Sequence, residues 1–498
     1  MRGKIWGALI YICLLIFLIS CEEEKKSPNI LFISIDDLRT ELGCYGNKIL
    51  KTPNIDKVAL EGVLFANHYV QVPTCGASRQ CLLTGMRPRS INQLKNNVTE
   101  EETSNKPEGT LPESFIHHLK RNGYYTVGIG KISHSADGLI YAYDEKPSNK
   151  RELPFSWDEL VFDSGKWGTG WNAFFAYANG ENRQSLNKQV KPYEAGDVED
   201  NGYVDGLTTK LAIKKLRELK ANTKPFFLGV GYFKPHLPFN CPQKYWDLYN
   251  RDSISISPNP YLPTNVNNAS LHQSAELNNY LLSDELASLN QAVSEDYAKK
   301  LRQAYYACVS YIDQQVGLLI KELQALDLDE NTIIVIWGDN GWHLGDQQVW
   351  GKHTLFDNAL NTTLIIKVPG VHASGKIEKS LIETVDIYPS LLELCGVTNP
   401  NSLDGESFAG LLYDIESNRH NVAYSYFNRG ITIRTNRYRL SKYFRMEEPI
   451  IELYDHVEDP YEANNIASMK PEIVDSLMPL LEKGNTGLYE QQQVNDNK

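Results

Sequence analysis

Positive charge is in deficit along this chain: 50 Lys and Arg face 62 Asp and Glu in 498 residues, a net charge of −12 at pH 7. That balance gives no basic footprint for nucleic acid. An anionic substrate would have to be met by a local basic pocket, not by the overall field. Cysteine is sparse, at positions 13, 21, 44, 75, 81, 241, 308 and 395, and none of the spacings is of zinc-site type. Beyond residue 19 no apolar run is long enough to cross a membrane, and no internal repeat is detectable. A zinc module, a multi-span membrane protein and a repeat array are therefore excluded.

What is present begins with a leader. Arg2 and Lys4 precede an apolar run over residues 5–19, and Leu18-Ile19-Ser20-Cys21 resembles a bacterial lipoprotein cleavage site. The expectation is a signal peptide over 1–20 and a mature chain lipidated at Cys21, with an uncleaved anchor helix as the alternative. Both place the body outside the cytoplasm, on the cell envelope, periplasmic or at the outer-membrane surface. Residues 21–28, with Glu22-Glu23-Glu24-Lys25-Lys26, read as a solvated tether. The remainder suffices for a large domain over 29–400 and a smaller one over 401–485, with a disordered tail over 486–498.

In the large domain, strand-like apolar runs alternate with helical patterns. Residues 29–35, 65–72, 124–129, 225–233, 332–337 and 364–368 read as strands. Residues 53–61, 111–122, 205–220, 297–326 and 384–396 read as helices. The pattern predicts an α/β fold with a mixed, mainly parallel sheet covered on both faces. Residues 136–204, rich in Gly, Asn, Asp, Tyr and Trp, are expected to form long loops that wall a cleft, with aromatic rings available to stack on sugars. Residues 424–443 alternate around Asn428-Arg429-Gly430, which predicts a small antiparallel sheet, followed by a helix over 470–483.

Chemistry clusters where strands end. Asp36-Asp37 follow the first run, Lys131 and His134 the third, His236 the fourth, and Asp339-Asn340 the fifth. In parallel sheets ligands bind beyond the carboxyl ends of strands, so one fold rule gathers these residues onto one edge. Asp36, Asp37, Asp339 and Asn340 offer only oxygen donors, a set suited to Ca²⁺, with Mg²⁺ second, and poorly to zinc. Cys75 opens the stretch Cys75-Gly76-Ala77-Ser78-Arg79, a loop entering a short helix stopped at Gly85. A helix N-terminus favours an anion, and Arg79 adds a fork-shaped cation. Taken alone, Cys75 reads equally as a buried small residue or a disulfide partner. Arg79, Lys131 and Lys352 are candidate cations around an oxyanion, and His134 and His236 candidate proton carriers.

Cys75-Gly-Ala-Ser-Arg79 also resembles the Cys-x-Pro-Ser-Arg signature of type I sulfatases, with Ala77 where proline is usual. The likeness extends through Asp36-Asp37-Leu38-Arg39, Leu83-Thr84-Gly85, Gly130-Lys131 with His134, Lys234-Pro235-His236, Gly338-Asp339-Asn340-Gly341 and Lys352. Leu42-Gly43-Cys44-Tyr45-Gly46 and Val309-Ser310-Tyr311-Ile312-Asp313 look most like the iduronate-2-sulfatase branch and its bacterial polysaccharide-sulfatase relatives. The resemblance implies an alkaline-phosphatase-like fold with a C-terminal α+β subdomain. It implies a sulfuric ester hydrolase whose Cys75 is converted by a formylglycine-generating maturation enzyme to 3-oxoalanine (formylglycine). It further implies Ca²⁺ held by Asp36, Asp37, residue 75, Asp339 and Asn340, the last standing where some relatives have histidine. His236 would protonate the departing sugar oxygen and His134 would deprotonate the formylglycine hydroxyl, while Lys131, Lys352 and Arg79 hold sulfate oxygens or tune the diol. The implied substrate is a sulfated carbohydrate, a uronate 2-sulfate of glycosaminoglycan or an ulvan-type algal polymer. The competing expectations are a phosphate or phosphonate monoesterase of the same superfamily, and a catalytically inactive glycan-binding lipoprotein.

Overall fold

The computed structural model describes residues 27–489 except 104, 105, 107–109, 111, 112, 372–374, 401 and 414–421. The expected signal peptide, Cys21 and most of the tether lie outside the described residues. Among the described residues no helix is long and apolar enough to cross a membrane.

Eight strands form one sheet: β1 (Asn29–Ile35), β2 (Val63–Tyr69), β3 (Tyr125–Gly130), β4 (Glu159–Val161), β5 (Phe226–Tyr232), β6 (Thr332–Gly338), β7 (Leu364–Lys367) and β8 (Lys376–Glu383). Their order is β8-β2-β7-β6-β1-β5-β3-β4. β1 pairs in parallel with both β5 and β6, and β3 with β5. β7 runs antiparallel to β6 and β2, so the sheet is mixed and mainly parallel, as the sequence predicts.

The continuous apolar runs are explained by burial on both faces. Leu31, Ile33 and Ile35 of β1 face one core, built with the helices α1 (Pro53–Glu61), α4 (Val204–Leu219) and α5 (Glu295–Ala325). Ile30 and Phe32 face the other, built with α2 (Cys75–Thr84), α3 (Phe115–Arg121) and α6 (Ile387–Leu394). The period-two side-chain alternation of a strand thus serves both layers at once. β8 and β4 carry no such run. They are edge strands, and the first five positions of β8 alternate exposed and half-buried.

The C-terminal sheet is a meander of β9 (Ala423–Phe427), β10 (Gly430–Arg434), β11 (Tyr438–Tyr443) and β12 (Ile450–Asp455), covered by α7 (Pro471–Lys483). Asn428 and Arg429 both take positive φ, the two-residue turn that matches strand twist. Packing continues past residue 485: Leu488 and Tyr489 are buried in this core, and the Tyr489 hydroxyl donates to Gly430 O at 3.2 Å. The expected tail therefore starts no earlier than residue 490. The two apolar side chains outweigh the polar segment around them.

Residues 136–204 differ from the expectation of open loops. Trp167, Trp171, Phe174 and Phe175 are buried together in a core of their own. Their rings pack against one another and are not exposed for stacking on sugars. Tyr143 and Phe155, at 41% and 43% exposure, are the large rings that stand at the surface there among the described residues.

Candidate functional site

The strand ends assemble the site. Asp36 and Asp37 leave β1 at a turn where Asp37 adopts positive φ, so both carboxylates reach the same space. Asp339 and Asn340 leave the adjacent β6, and the Asp37 amide donates to Asp339 Oδ1 at 2.9 Å. Lys131 follows β3 and its Nζ donates to Asp36 Oδ2 at 2.6 Å. Lys352, on the loop after β6, donates to both Asp37 oxygens at 2.7 and 2.9 Å.

Cys75 is the first residue of α2, and Gly85, in the left-handed conformation, ends that helix. All ten helix residues are buried, because α2 is wedged between the sheet edge and the segment around Asn96. A side chain at Gly76 would meet Asn96 O at 2.1 Å, so glycine is required beside the cysteine. The Ser78 hydroxyl donates to Asp339 O at 2.5 Å and ties the helix to β6. One oxygen or sulfur atom from each of Asp36, Asp37, Cys75 and Asp339 falls within 4.8 Å of the others.

Arg79 is turned inward. Its Nε donates to Asp339 Oδ2 at 2.8 Å, and its Nη atoms to Ser34 Oγ, Asp36 Oδ1 and the main-chain oxygens of Lys131 and Ile132. It is wholly buried. The fork expected to grip an oxyanion grips the acidic turns instead, and orients them for their common space.

The electrostatics fit a cation. Burial pushes the carboxyls of Asp37 and Asp339 above the usual carboxylate range, although Lys352 and Arg79 oppose it. Burial acts the same way on Asp36, but Lys131, His236 and Arg79 prevail and hold its carboxyl well below that range. Asn340 Nδ2 donates to Asp339 Oδ1 at 3.0 Å, while its buried Oδ1 has no hydrogen-bond partner among the described residues. Three carboxylates and one orphaned amide oxygen are the donors a hard divalent ion takes. Burial, with Asp339 and Asp36, drives the Cys75 thiol well upward, so the unmodified thiol stays protonated at neutral pH.

The histidines differ. His236 Nδ1 lies 2.6 Å from Leu237 O and Nε2 lies 3.0 Å from Glu276 Oε1, so both ring nitrogens face acceptors. His134 is half-buried, with Nδ1 lacking a hydrogen-bond partner among the described residues. Burial, then the charge of Lys131, pushes its pKa well down, leaving a neutral imidazole. His134 opens on a cavity of about 310 Å³ lined by Asn96, Glu100, Tyr143, Glu152 and Trp171, among others.

All the residues picked from the sequence thus meet at one edge: Asp36, Asp37, Cys75, Arg79, Lys131, His134, His236, Asp339, Asn340 and Lys352. Glu276 was not foreseen. It sits on a short helix, Ala275–Asn278, after Ser274 in positive φ, and its Oε1 lies 3.9 Å from Lys352 Nζ. Phe174 and Trp342, whose rings lie 4.6 and 5.1 Å from the ammonium groups of Lys131 and Lys352, were also unforeseen.

Residues 28–397 match the sulfatase family, and residues 345–485 match the C-terminal family of N-sulphoglucosamine sulphohydrolase. The chain is 31% identical to iduronate 2-sulfatase of Homo sapiens over 440 residues, 82% of this chain and 76% of that protein. It is 29% identical to an ulvan-active sulfatase of Formosa agariphila, over 91% of this chain and 79% of that one. Among solved structures, a protein in complex with its substrate D-glucosamine-2-N,6-O-disulfate superposes with a TM-score of 0.69 at 22% identity, covering 93% of this chain and 98% of that one. A phosphonate monoester hydrolase from Silicibacter pomeroyi superposes with a TM-score of 0.72 at 20% identity, over 92% and 95%. The structural likenesses speak for the fold; the family match and the identity to the human enzyme carry the conclusion that this chain belongs to the sulfatase family and is a sulfuric ester hydrolase.

Proposed function

We propose that the chain removes sulfate esters from sulfated glycans, uronate 2-sulfates or ulvan-type polymers, with residue 75 matured to formylglycine by a formylglycine-generating enzyme. The observation that carries this reading is the convergence of Cys75, at a helix N-terminus, with three carboxylates and the orphaned Asn340 oxygen. When bound, a divalent ion, Ca²⁺ before Mg²⁺, supplies positive charge among Asp36, Asp37, Asp339 and Asn340, and formylglycine supplies the attacking oxygen.

The chain's own residues do the rest. Lys131 and Lys352, held strongly cationic by Asp36 and Asp37 despite burial, stand ready to meet sulfate oxygens as negative charge moves. His236, held through Nδ1 and facing Glu276 through Nε2, delivers the proton to the departing sugar oxygen. His134, neutral and with Nδ1 unpartnered, takes the proton from the hydroxyl of residue 75 when sulfate is expelled. Arg79 keeps the two acidic turns in register. The lipoprotein-like Leu18-Ile19-Ser20-Cys21 supports placement by a lipid anchor on a bacterial cell envelope, where polymeric glycans are accessible.

Sulfate released from a panel of defined sulfated oligosaccharides tests the reading, with matched phosphate monoesters and phosphonates as competitors. Turnover of the sugar sulfates, lost in Cys75→Ala, is expected. Preference for phosphorus esters would move the assignment to the phosphonate-hydrolase side of the fold, and binding without turnover by matured protein to a glycan-binding role.

A further inference from the structure

Five arginines are buried among the described residues: Arg79, Arg183, Arg302, Arg434 and Arg439. Four are paired with carboxylates: Arg79 with Asp339, Arg302 with Glu41, Arg434 with Asp357 and Arg439 with Glu462. Arg183, at 9% exposure, has neither an acidic partner nor a hydrogen-bond partner for its Nε among the described residues. A buried charge without a counter-charge is costly. Aromatic faces offset part of that cost: the guanidinium carbon lies 3.7 Å from the Phe175 ring centroid and 5.4 Å from that of Tyr280.

The position of this cation is informative. The Phe175 ring that carries it also neighbours His236, the ring centroids of Phe175 and His236 being 6.4 Å apart. Phe175 also meets Tyr143 at 5.5 Å. Arg183 and His236 therefore both lie against the Phe175 ring, beside the residue assigned above to the leaving oxygen.

We propose that Arg183 receives a second anionic substituent, carboxylate or sulfate, on the same sugar whose sulfate ester is cleaved. This rests on the sulfated-glycan reading above and extends it: the preferred substrate carries two negative groups on one ring. The planar fork suits either anion in two-point contact, and the substrate supplies the counter-charge that the fold withholds.

The test is calorimetric binding to the full chain carrying Cys75→Ala, which keeps the ligands intact. The ligands are a 2-sulfated uronate disaccharide, its carboxyl-reduced counterpart, a disulfated glucosamine and its monosulfated form. The doubly charged member of at least one pair is expected to bind on the order of 30-fold more tightly. The pair that shows the gap identifies carboxylate or sulfate as the second anion. Arg183→Met, which keeps an unbranched stem on Phe175, should erase the gap, and Arg183→Lys should restore part of it. Equal binding within both pairs, or a gap that survives Arg183→Met, overturns the proposal. These outcomes are read from binding alone. A matured wild-type chain that releases no sulfate from any sugar would instead sink the substrate class proposed above.

Discussion

The rim of strand ends and the wall segments that carry Arg183 and Glu276 are neighbours, yet they are made differently. The acidic turns and Cys75 on the rim are anchored directly to regular structure. Asp36 and Asp339 are pinned by neighbouring parallel strands and by one arginine, and Cys75 by a wholly buried helix. The wall is held by irregular packing: Glu276 rides on a four-residue helix, and Arg183 rests on rings. Charge follows the same division. On the rim, cations and carboxylates are matched within hydrogen-bonding distance, whereas on the wall Arg183 is left uncompensated. The contrast predicts that variants at Cys75 or Asp339 on the rim differ in kind from variants at Arg183 or Glu276 on the wall.

The largest effect is expected at Cys75. Cys75→Ala should lower sulfate release by roughly 10³-fold or more, the loss typical when a covalent nucleophile is removed, with little change in melting temperature. Next comes Asp339→Asn, which strips Arg79 of its closest carboxylate. Breaking a buried pair from one side costs about 3–5 kcal/mol, so this rim variant should lose stability as well as turnover in thermal unfolding and kinetic assays. Stability that stays unchanged would show that Arg79 does not depend on the acidic turns.

Metal removal should come third, with a defined pH sign. An acid whose folded pKa is raised, as for Asp37 and Asp339, favours the native state below its unfolded value, and that contribution is lost as pH rises through the folded one. The ion binds the ionised carboxylates and competes with their protons. Stabilisation by Ca²⁺ should therefore be larger at neutral pH than at about pH 5, and chelator should remove it. At a hundredfold excess over its dissociation constant the ion contributes about 2.7 kcal/mol, readable as a shift in melting temperature. The smallest effect belongs to the wall: Glu276→Gln keeps the shape but removes the charge facing His236, and kcat should fall roughly tenfold with stability nearly unchanged.

The same division governs what the sequence revealed. Asp36-Asp37 and Asp339-Asn340 were legible because each directly follows a run of apolar residues buried on both faces, and strand ends have a fixed geometry. Cys75 was legible through its small neighbours and the glycine stop. β8 was not, because Lys376, Glu378, Lys379 and Ser380 fill the exposed and half-buried first part of an edge strand and leave no apolar run. Glu276 and Arg183 gave no signal, since neither lies in a periodic segment. The Ser274 hydroxyl beside Glu276 accepts from the Trp350 amide, a contact between loops about 75 residues apart that no local pattern encodes. Arg79 was found but its direction was not: whether a fork points into a cleft or back into the protein depends on where Ser34, Asp36 and Asp339 stand around it.

The central claim is that residue 75, matured and set among the carboxylates, attacks a sugar sulfate. Preparations with graded conversion of Cys75 to formylglycine, quantified by mass spectrometry of the peptide around residue 75, can be assayed for sulfate released from a sulfated uronate disaccharide with Ca²⁺ present. Activity should rise in proportion to the converted fraction and extrapolate to zero for unmodified thiol. Undiminished activity from a fully unconverted preparation would contradict the account.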